Sequence, residues 1–245
     1  MSRPWLRIAH RGASGSAPEL TTAAFARALE LGVDMIELDV QFSRDEELVV
    51  LHDAELGRTT TGSGLVRAHD LAALKQLDAG SWYSDRFAGE RIPTLSEVLQ
   101  FVAGRARLNV ELKAPREDWP GVAEKVVEVV QRAGQLEETI ISCFEPEALL
   151  AVRRESPSAH VGLLWESPVF DDAWRWAAEL GAVSIHPHWI LTCPEVIASA
   201  HRHGLLVLAW TVNDLAAMQE LVRYGVDGVM TDFPERFSAL ACEVG

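Results

Sequence analysis

The chain lacks the cysteine pattern of a disulfide framework or a structural zinc site. Its three cysteines are far apart in sequence, form no C-x-x-C pair and suit a reducing compartment: Cys143, Cys193 and Cys242. It also lacks any apolar run long enough to cross a bilayer. The segment Met1–Trp5 leads almost directly into a strand-like run, with no room for a secretion signal. We therefore expect a cytoplasmic protein without membrane insertion.

Positive charge is scarce as well. The sequence has 22 Lys and Arg residues against 36 Asp and Glu residues, a formal net charge of -14. This balance argues against nucleic acid or an anionic membrane as a partner, because either would require a broad basic face. It does not exclude a small anionic substrate, since a few cations and a metal ion reverse the potential inside a pocket. A homo-oligomeric assembly is compatible with the sequence.

No linker or low-complexity tract divides the chain. Apolar residues make up 48% of the 245 residues and are spread evenly. Barrels built from alternating strands and helices usually contain about 250 residues. The sequence therefore predicts a single domain over residues 1–245.

Short β-like runs alternate with helical patterns along the chain. Eight runs are predicted as strands: 7–10, 34–40, 107–113, 138–143, 160–165, 182–187, 205–211 and 226–231. Strands separated by helices pair in parallel. Several of the helical patterns end at a glycine that suits a left-handed C-cap: Gly32, Gly134, Gly181, Gly204 and Gly225.

Two of these helix-to-strand joints, 31–36 and 224–229, nearly repeat one another, which indicates a repeated βα unit. Eight such units predict an α/β fold, a closed (β/α)8 TIM barrel. A doubly wound open sheet is the alternative. The segment His10–Gly15, however, fits the glycine-rich nucleotide turn of that fold poorly.

One interval breaks the alternation. About forty residues, 53–93, separate the second strand region from its helix at 94–102, which is far longer than the usual βα loop. We interpret this interval as a small inserted cap at the C-terminal face of the barrel. It carries Trp82, Tyr83 and Phe87, which suit packing over another surface.

Carboxylates recur at strand spacing in two neighbouring strands. Glu37 and Asp39 are separated by one aliphatic residue, so both side chains lie on one face, with Cα atoms roughly 6.6 Å apart. Glu111 and Lys113 repeat the arrangement in the next strand. Three carboxylates inside a barrel would repel one another unless neutralised, and oxygen ligands favour one divalent cation, Mg²⁺ or Ca²⁺ with Mn²⁺ as a further candidate, over zinc.

Two histidines end apolar runs at the same predicted rim. His10 ends the first strand, and His52 follows the run Leu48–Leu51. Cleavage of a phosphodiester requires one group to activate a nucleophile and another to protonate the leaving alkoxide, and imidazoles suit both tasks. Arg11 and Lys113 suit the non-bridging phosphate oxygens. Together these residues indicate phosphoryl-transfer chemistry.

Seven motifs, in this order, resemble those of the glycerophosphodiester phosphodiesterase family, particularly its cytoplasmic bacterial members: AHRGA at 9–13, APE at 17–19, IELDV at 36–40, VVLHD at 49–53, RTT at 58–60, VELK at 110–113 and WTVN at 210–213. The resemblance implies a barrel with an inserted cap that hydrolyses glycerophosphodiesters to glycerol 3-phosphate and an alcohol. It implies metal ligands at Glu37, Asp39 and Glu111, an acid and a base at His10 and His52, and substrate contacts at Arg11, Lys113 and Trp210.

The sequence departs from the family pattern at two loop positions. Leu20 replaces the asparagine of the usual Pro-Glu-Asn-Thr, and Glu46 replaces the glycine of the usual Asp-Gly turn. We interpret both as loop variation.

Other patterns have ordinary structural interpretations. Asn213, Asp214 and Asp232 each precede a helix, so we expect N-caps there. His186 and His188 suit head-group contact or packing better than a second metal site.

Two alternative functions from other classes are a metal-dependent barrel aldolase or isomerase, and a non-catalytic phosphodiester-binding barrel. The alcohol head group, the preferred ion and the histidine that acts first as base all stay open at this point.

Overall fold

The chain forms nine strands and nine α-helices over the residues that its structure, a computed structural model, describes: 5–113 and 118–241. The strands are β1 (Leu6–His10), β2 (Met35–Phe42), β3 (Leu48–Val50), β4 (Arg107–Leu112), β5 (Thr139–Cys143), β6 (His160–Trp165), β7 (Ser184–Pro187), β8 (Leu206–Ala209) and β9 (Gly228–Thr231). The helices are α1 (Thr22–Glu30), α2 (Leu71–Leu74), α3 (Leu95–Val102), α4 (Trp119–Arg132), α5 (Pro146–Glu155), α6 (Asp171–Leu180), α7 (Pro194–Arg202), α8 (Leu215–Tyr224) and α9 (Phe237–Ala241).

Eight of the strands close into a parallel barrel. The order is β1-β9-β8-β7-β6-β5-β4-β2, and β1 pairs with β2 to complete the ring. The predicted (β/α)8 barrel and all eight of its predicted strands are confirmed. β3 is a further strand that runs antiparallel to the end of β2, with Val40 opposite Val50. It forms a hairpin outside the ring.

Local chemistry sets the limits of the helices. Thr94 and Glu97 form a capping box at the start of α3, and Gly181 and Gly225 end α6 and α8 in the left-handed conformation. All five glycines predicted to end helices have positive φ. In the described ranges, no helix has both the length and the apolarity needed to span a membrane.

Apolar side chains pack on both faces of the barrel wall. Outward-facing side chains of the strands, such as Ile36 and Leu38, pack against the helices, and full burial stabilises each by about 1.5–3 kcal/mol. Inside the ring a second cluster fills the space below the level of His10 and Glu37: Ile8, Met35, Ile140, Leu208 and Met230. This interior cluster leaves space for a ligand only toward the C-terminal ends of the strands.

The segment 53–93 packs mainly on its own small core, which contains Leu56, Val66 and Leu74. The Tyr83 hydroxyl donates a hydrogen bond to the carbonyl oxygen of Gly15, 2.8 Å away, and thereby ties the segment to the first βα loop. Its three large aromatic side chains contact one another edge to face. These contacts link Trp82, Tyr83 and Phe87 within the segment.

Three residues other than glycine have positive φ in the described chain: Arg11 at 57°, Leu20 at 58° and Glu46 at 58°. This left-handed conformation suits glycine, and asparagine better than most other residues. Leu20 and Glu46 are the two positions where the sequence departs from the family pattern. The turns thus keep a backbone shape that asparagine and glycine adopt more readily than the residues present.

Candidate active site

Three buried carboxylates meet inside the barrel mouth. Glu37 and Asp39 project from β2 and Glu111 from β4, where the pairing register sets Asp39 beside Glu111. One oxygen from each lies within 4.8 Å of the others, and the side chains are only 2%, 1% and 8% exposed. The three carboxylates therefore meet, as the alternation of side chains along the two strands predicts.

The carboxylates repel one another strongly. Burial, together with Asp39 and Glu111, raises the pKa of Glu37 well above its ordinary value. Burial and the charge of Asp39 raise the pKa of Glu111 to about 7. One oxygen of Glu37 and both oxygens of Asp39 are buried and accept no hydrogen bond. Such a set of oxygen donors fits a hard divalent cation.

Two cations flank the carboxylates. Arg11 Nε lies 3.4 Å from Asp39, and Lys113 Nζ lies 3.6 Å from Asp39 and 2.5 Å from Glu111. Burial alone would lower the pKa of Arg11 and Lys113, but the neighbouring carboxylates outweigh it and raise both pKa values. Both side chains therefore stay charged. They can donate hydrogen bonds to an anion at the mouth.

His10 is held by a carboxylate from the last barrel strand. Its Nδ1 lies 2.7 Å from Asp232 Oδ1, and its Nε2 lies 3.9 Å from Glu37. Asp232 also accepts hydrogen bonds from Ser14 and Asn213. Burial would raise the pKa of Asp232, but these partners, chiefly His10, lower it to about 2. The ionised carboxylate favours the tautomer with the proton on Nδ1, which leaves a lone pair on Nε2.

His52 is held in the same way by its neighbour in the chain. Its Nδ1 lies 2.7 Å from Asp53 Oδ1, and Arg58 donates hydrogen bonds to both oxygens of Asp53. Arg58 also donates to both oxygens of Glu19, which in turn accepts a hydrogen bond from Arg11. An ionic chain therefore joins His52 to Arg11. Burial lowers the pKa of His52, so its imidazole is uncharged at neutral pH.

These groups surround one cavity of about 210 Å³. Its walls include seven of the eight residues predicted for the site: His10, Arg11, Glu37, His52, Glu111, Lys113 and Trp210. The eighth, Asp39, adjoins it through Arg11 and Lys113. Trp210 donates a hydrogen bond from Nε1 to the His186 carbonyl and meets Phe144 edge to face. The cavity is thus bordered by two aromatic side chains as well as by its ionic groups.

Several residues of the site were not predicted from the sequence: Asp232, Asn213, Glu19 and Arg58. The expected N-cap role is confirmed for Asp214, which accepts a hydrogen bond from the Ala217 amide, but is wrong for Asp232 and Asn213. Asp232 lies just after β9, and the rule that barrel enzymes gather polar groups at the C-terminal ends of strands could have identified it. Glu19 and Arg58 lie in two of the seven family-like motifs, APE at 17–19 and RTT at 58–60, but neither motif by itself predicts the contact between them.

His186 belongs to the barrel interior. Its side chain is fully buried, burial lowers its pKa to about 3, and its Nε2 lies 2.8 Å from Ser184 Oγ. It is therefore a neutral packing residue. The structure groups it with no other metal-ligating side chain among the described residues.

Comparisons with known proteins agree with this geometry. The sequence profile of the glycerophosphoryl diester phosphodiesterase family matches residues 10–236. A glycerophosphodiester phosphodiesterase of Caldanaerobacter subterraneus subsp. tengcongensis is 41% identical over 94% of this chain and 95% of its own length. One from Bacillus subtilis is 36% identical over 95% of this chain and 85% of its own length.

Solved structures show the same relationship. A phosphodiesterase of Oleispira antarctica, in complex with the product sn-glycerol-3-phosphate, superposes with a TM-score of 0.91 at 32% identity over 96% of both chains. A glycerophosphodiester phosphodiesterase of Agrobacterium tumefaciens gives a TM-score of 0.84 at 32% identity, over 95% of this chain and 98% of its own. The chain therefore belongs to the glycerophosphoryl diester phosphodiesterase family.

Proposed function

We propose that the protein hydrolyses glycerophosphodiesters to glycerol 3-phosphate and an alcohol. The observation that carries this proposal is one cavity bordered by two imidazoles, two cations and three carboxylates. The names of the relatives and the product-bound neighbour support the same substrate class. Every type of group that phosphodiester cleavage requires is within reach of one small ligand.

In this proposal Glu37, Asp39 and Glu111 hold one divalent cation. Their buried oxygens without hydrogen-bond donors support a hard ion, with Mg²⁺, Ca²⁺ and Mn²⁺ as the candidates. When bound, the ion supplies positive charge against the carboxylates and polarises a phosphate oxygen. Arg11 and Lys113 donate hydrogen bonds to the remaining non-bridging oxygens.

The two histidines exchange protons with the substrate. One imidazole removes the proton of the nucleophile, and the other protonates the leaving alkoxide. The lowered pKa of His52 suits the base, because the neutral imidazole has a free lone pair on Nε2. Asp232 holds the His10 ring through Nδ1, so Nε2 is the atom that exchanges a proton with the leaving alkoxide.

We propose that the nucleophile in the first step is the glycerol hydroxyl next to the phosphoester. Its attack forms a cyclic phosphate, which water opens after the histidines exchange roles. A glycerophosphodiester analogue without the 2-hydroxyl tests this sequence and should not be turned over. Undiminished turnover of the analogue would eliminate the cyclic route in favour of direct attack by water.

A coupled assay of glycerol 3-phosphate tests the function itself. Several glycerophosphodiesters are incubated with the protein, with chelator and with added Mg²⁺ or Ca²⁺. We expect glycerol 3-phosphate release that chelator abolishes and metal restores. Release unaffected by chelator would remove the metal from the proposal. Ligand binding without any release would favour the non-catalytic barrel instead.

We also propose that residues 1–245 work as one domain, with 53–93 as a cap beside the mouth. The ionic chain from Arg58 to Glu19 and Arg11 supports this role, because it joins that segment to the groups expected to bind phosphate. The free thiols of Cys143 and Cys193 suit a cytoplasmic location.

A further inference from the structure

A second, larger cavity opens beside the catalytic one. It measures about 480 Å³ and shares His52, Glu111, Lys113 and Phe144 with the catalytic cavity. From there it extends between the ends of β2, β4 and β5 and the segment 53–93, as far as Leu65. We call it the side pocket. Because the two cavities share walls, one extended substrate can occupy both.

Apolar atoms provide most of the exposed surface of the side pocket, although polar side chains also border it. Six apolar or weakly polar residues contribute to its wall: Phe42, Ala54, Leu65, Leu112, Cys143 and Phe144. Cys143 is a buried thiol whose pKa is raised to about 12 by burial, so it adds no charge. Leu65 is 53% exposed at the rim. An occupant that covered Leu65 would remove apolar surface from water.

Three polar side chains that line the side pocket but not the catalytic cavity have partners within the protein: Gln41, Arg67 and Asp118. Gln41 donates hydrogen bonds from Nε2 to the carbonyl oxygens of Leu51 and Asp53, both 2.8 Å away. Arg67 Nη1 lies 2.7 Å from Asp118 Oδ2 in an ion pair. Beyond the ionic residues shared with the catalytic cavity, Glu145 is the remaining polar side chain of the wall, and it is exposed to solvent. A polar atom of an occupant that faced the apolar surface would lose its hydrogen bonds to water, which is costly.

The position of the side pocket assigns it to one part of the substrate. Arg11 and Lys113 mark the place of the phosphate, and Trp210 and Leu164 lie on the wall of the catalytic cavity that the side pocket does not share. A glycerol unit against that wall leaves the alcohol on the other side of the phosphate. The alcohol then points past Lys113 and His52 into the side pocket.

We infer that the side pocket binds the alcohol portion of the substrate and selects an apolar alkyl or aryl alcohol over a hydrophilic one. This inference rests on the proposed glycerophosphodiesterase function and deepens it. Two features support this inference. The apolar wall of the side pocket is continuous with the catalytic cavity, and Gln41, Arg67 and Asp118 already have partners within the protein.

Two substrates with chains of equal length test the selection. They are the sn-glycero-3-phosphate diesters of 1-heptanol and of 2-(2-methoxyethoxy)ethanol, which differ by two ether oxygens in place of methylene groups. In Mg²⁺ we expect the heptyl diester to have a higher kcat/KM, by roughly tenfold or more, since two additional methylene groups leave water. Equal values, or a preference for the ether, would overturn the inference.

A pair of variants locates the effect. Leu65→Asn makes the rim polar, and Val169→Asn is its control, because Val169 is 59% exposed and does not line the side pocket. We expect Leu65→Asn to lower kcat/KM for the heptyl diester by about threefold or more. Val169→Asn should have no effect on either diester. Equal effects of the two variants would contradict the assignment.

The methyl diester of sn-glycerol 3-phosphate separates this inference from the proposed function. Its alcohol is too small to reach Leu65, so wild type and Leu65→Asn should hydrolyse it equally. Hydrolysis of the methyl diester with no preference for heptyl leaves the proposed function intact and overturns the side pocket. Failure to hydrolyse any of the three diesters overturns both.

Discussion

Each imidazole proposed for acid–base catalysis is held by a carboxylate, and for His10 that carboxylate is Asp232. We expect Asp232→Asn to lower kcat by roughly a hundredfold, because an amide no longer holds the ring in the required tautomer. KM should change little, since Asp232 acts through His10. Steady-state kinetics with a glycerophosphodiester checks both values.

Asp214→Asn is the matched control for that substitution. Asp214 accepts a hydrogen bond from the Ala217 amide as the N-cap of α8, and asparagine caps helices about as well as aspartate. The control should therefore keep wild-type rates. If both variants behaved alike, Asp232 would have no positioning role.

Glu46 shows how a single backbone angle affects stability. It is exposed, has a φ of 58° and lies in the turn between β2 and β3. We expect Glu46→Gly to raise the free energy of unfolding by roughly 0.5–1 kcal/mol, because removal of the left-handed strain exceeds the entropy that glycine adds to the unfolded chain. Denaturant titration measures the change.

Glu55→Gly is the comparison for Glu46. Glu55 is also exposed, but it is not among the residues with positive φ. Glycine there should lower the stability, because only the entropic effect operates. A loss of stability in both variants would contradict the interpretation of the Glu46 turn.

For individual residues, contacts set by strand periodicity are predictable from the sequence, and contacts set by closure of the barrel are not. Strand alternation places Glu37, Asp39 and Glu111 together because β pairing converts sequence spacing directly into geometry. No such periodicity governs His10 and Asp232, whose contact spans 222 positions along the chain and depends on closure of the barrel. Their partnership becomes visible only in the folded chain.

At the level of elements, the sequence predicts the eight barrel strands and the ends of several helices. It does not predict β3 as a separate strand. Buried parallel strands have strongly apolar sequences, and the predicted glycines mark the ends of five helices: α1, α4, α6, α7 and α8. β3 has only three residues, Leu48–Val50, so its run was too short to distinguish from the end of a loop. The internal shape of 53–93 was equally unpredictable, since it has little regular structure.

Arg58 connects the segment 53–93 to the site through Asp53 and Glu19. We expect Arg58→Ala to lower kcat/KM by roughly tenfold to a hundredfold, because Asp53 and Glu19 lose their shared partner and His52 shifts. Arg58→Lys should restore little, since lysine cannot form the two-pronged contacts. Steady-state rates across the set measure the effect.

Arg86 provides the control within the same segment. It is exposed, lies over the ring of Phe87 and is distant from the ionic chain. Arg86→Ala should keep wild-type rates. A comparable loss in Arg86→Ala and Arg58→Ala would mean that general loosening of the segment, and not the ionic chain, controls activity.

For the whole molecule, the buried carboxylates make stability depend on pH, and the proposed metal site adds a dependence on divalent cations. The pKa of Glu111 is about 7 in the folded protein, above its ordinary value of 4.5, so the unfolded chain binds fewer protons between these values. The free energy of unfolding therefore falls as pH rises through this window, by at most roughly 1.4 kcal/mol per pH unit for each such group.

Glu111→Gln isolates that effect. With chelator present, we expect the variant to gain stability relative to wild type as the pH is raised from 5 to 8, because glutamine has no charge to bury. Added Mg²⁺ or Ca²⁺ should stabilise wild type more at pH 8 than at pH 5, and the variant less than wild type. Parallel stability curves for the two proteins in chelator would refute the assigned repulsion.

The hairpin of β2 and β3 constrains the length of an exposed turn. Leu51 donates its amide hydrogen bond to the Asp39 carbonyl, so the return strand brings His52 back to the level of the carboxylates. A register slip of one residue would reverse which face each β3 side chain occupies and would turn His52 away. The exposed turn residues Arg44–Glu46 should therefore tolerate substitution better than a single-residue insertion or deletion, unlike most solvent-facing loops.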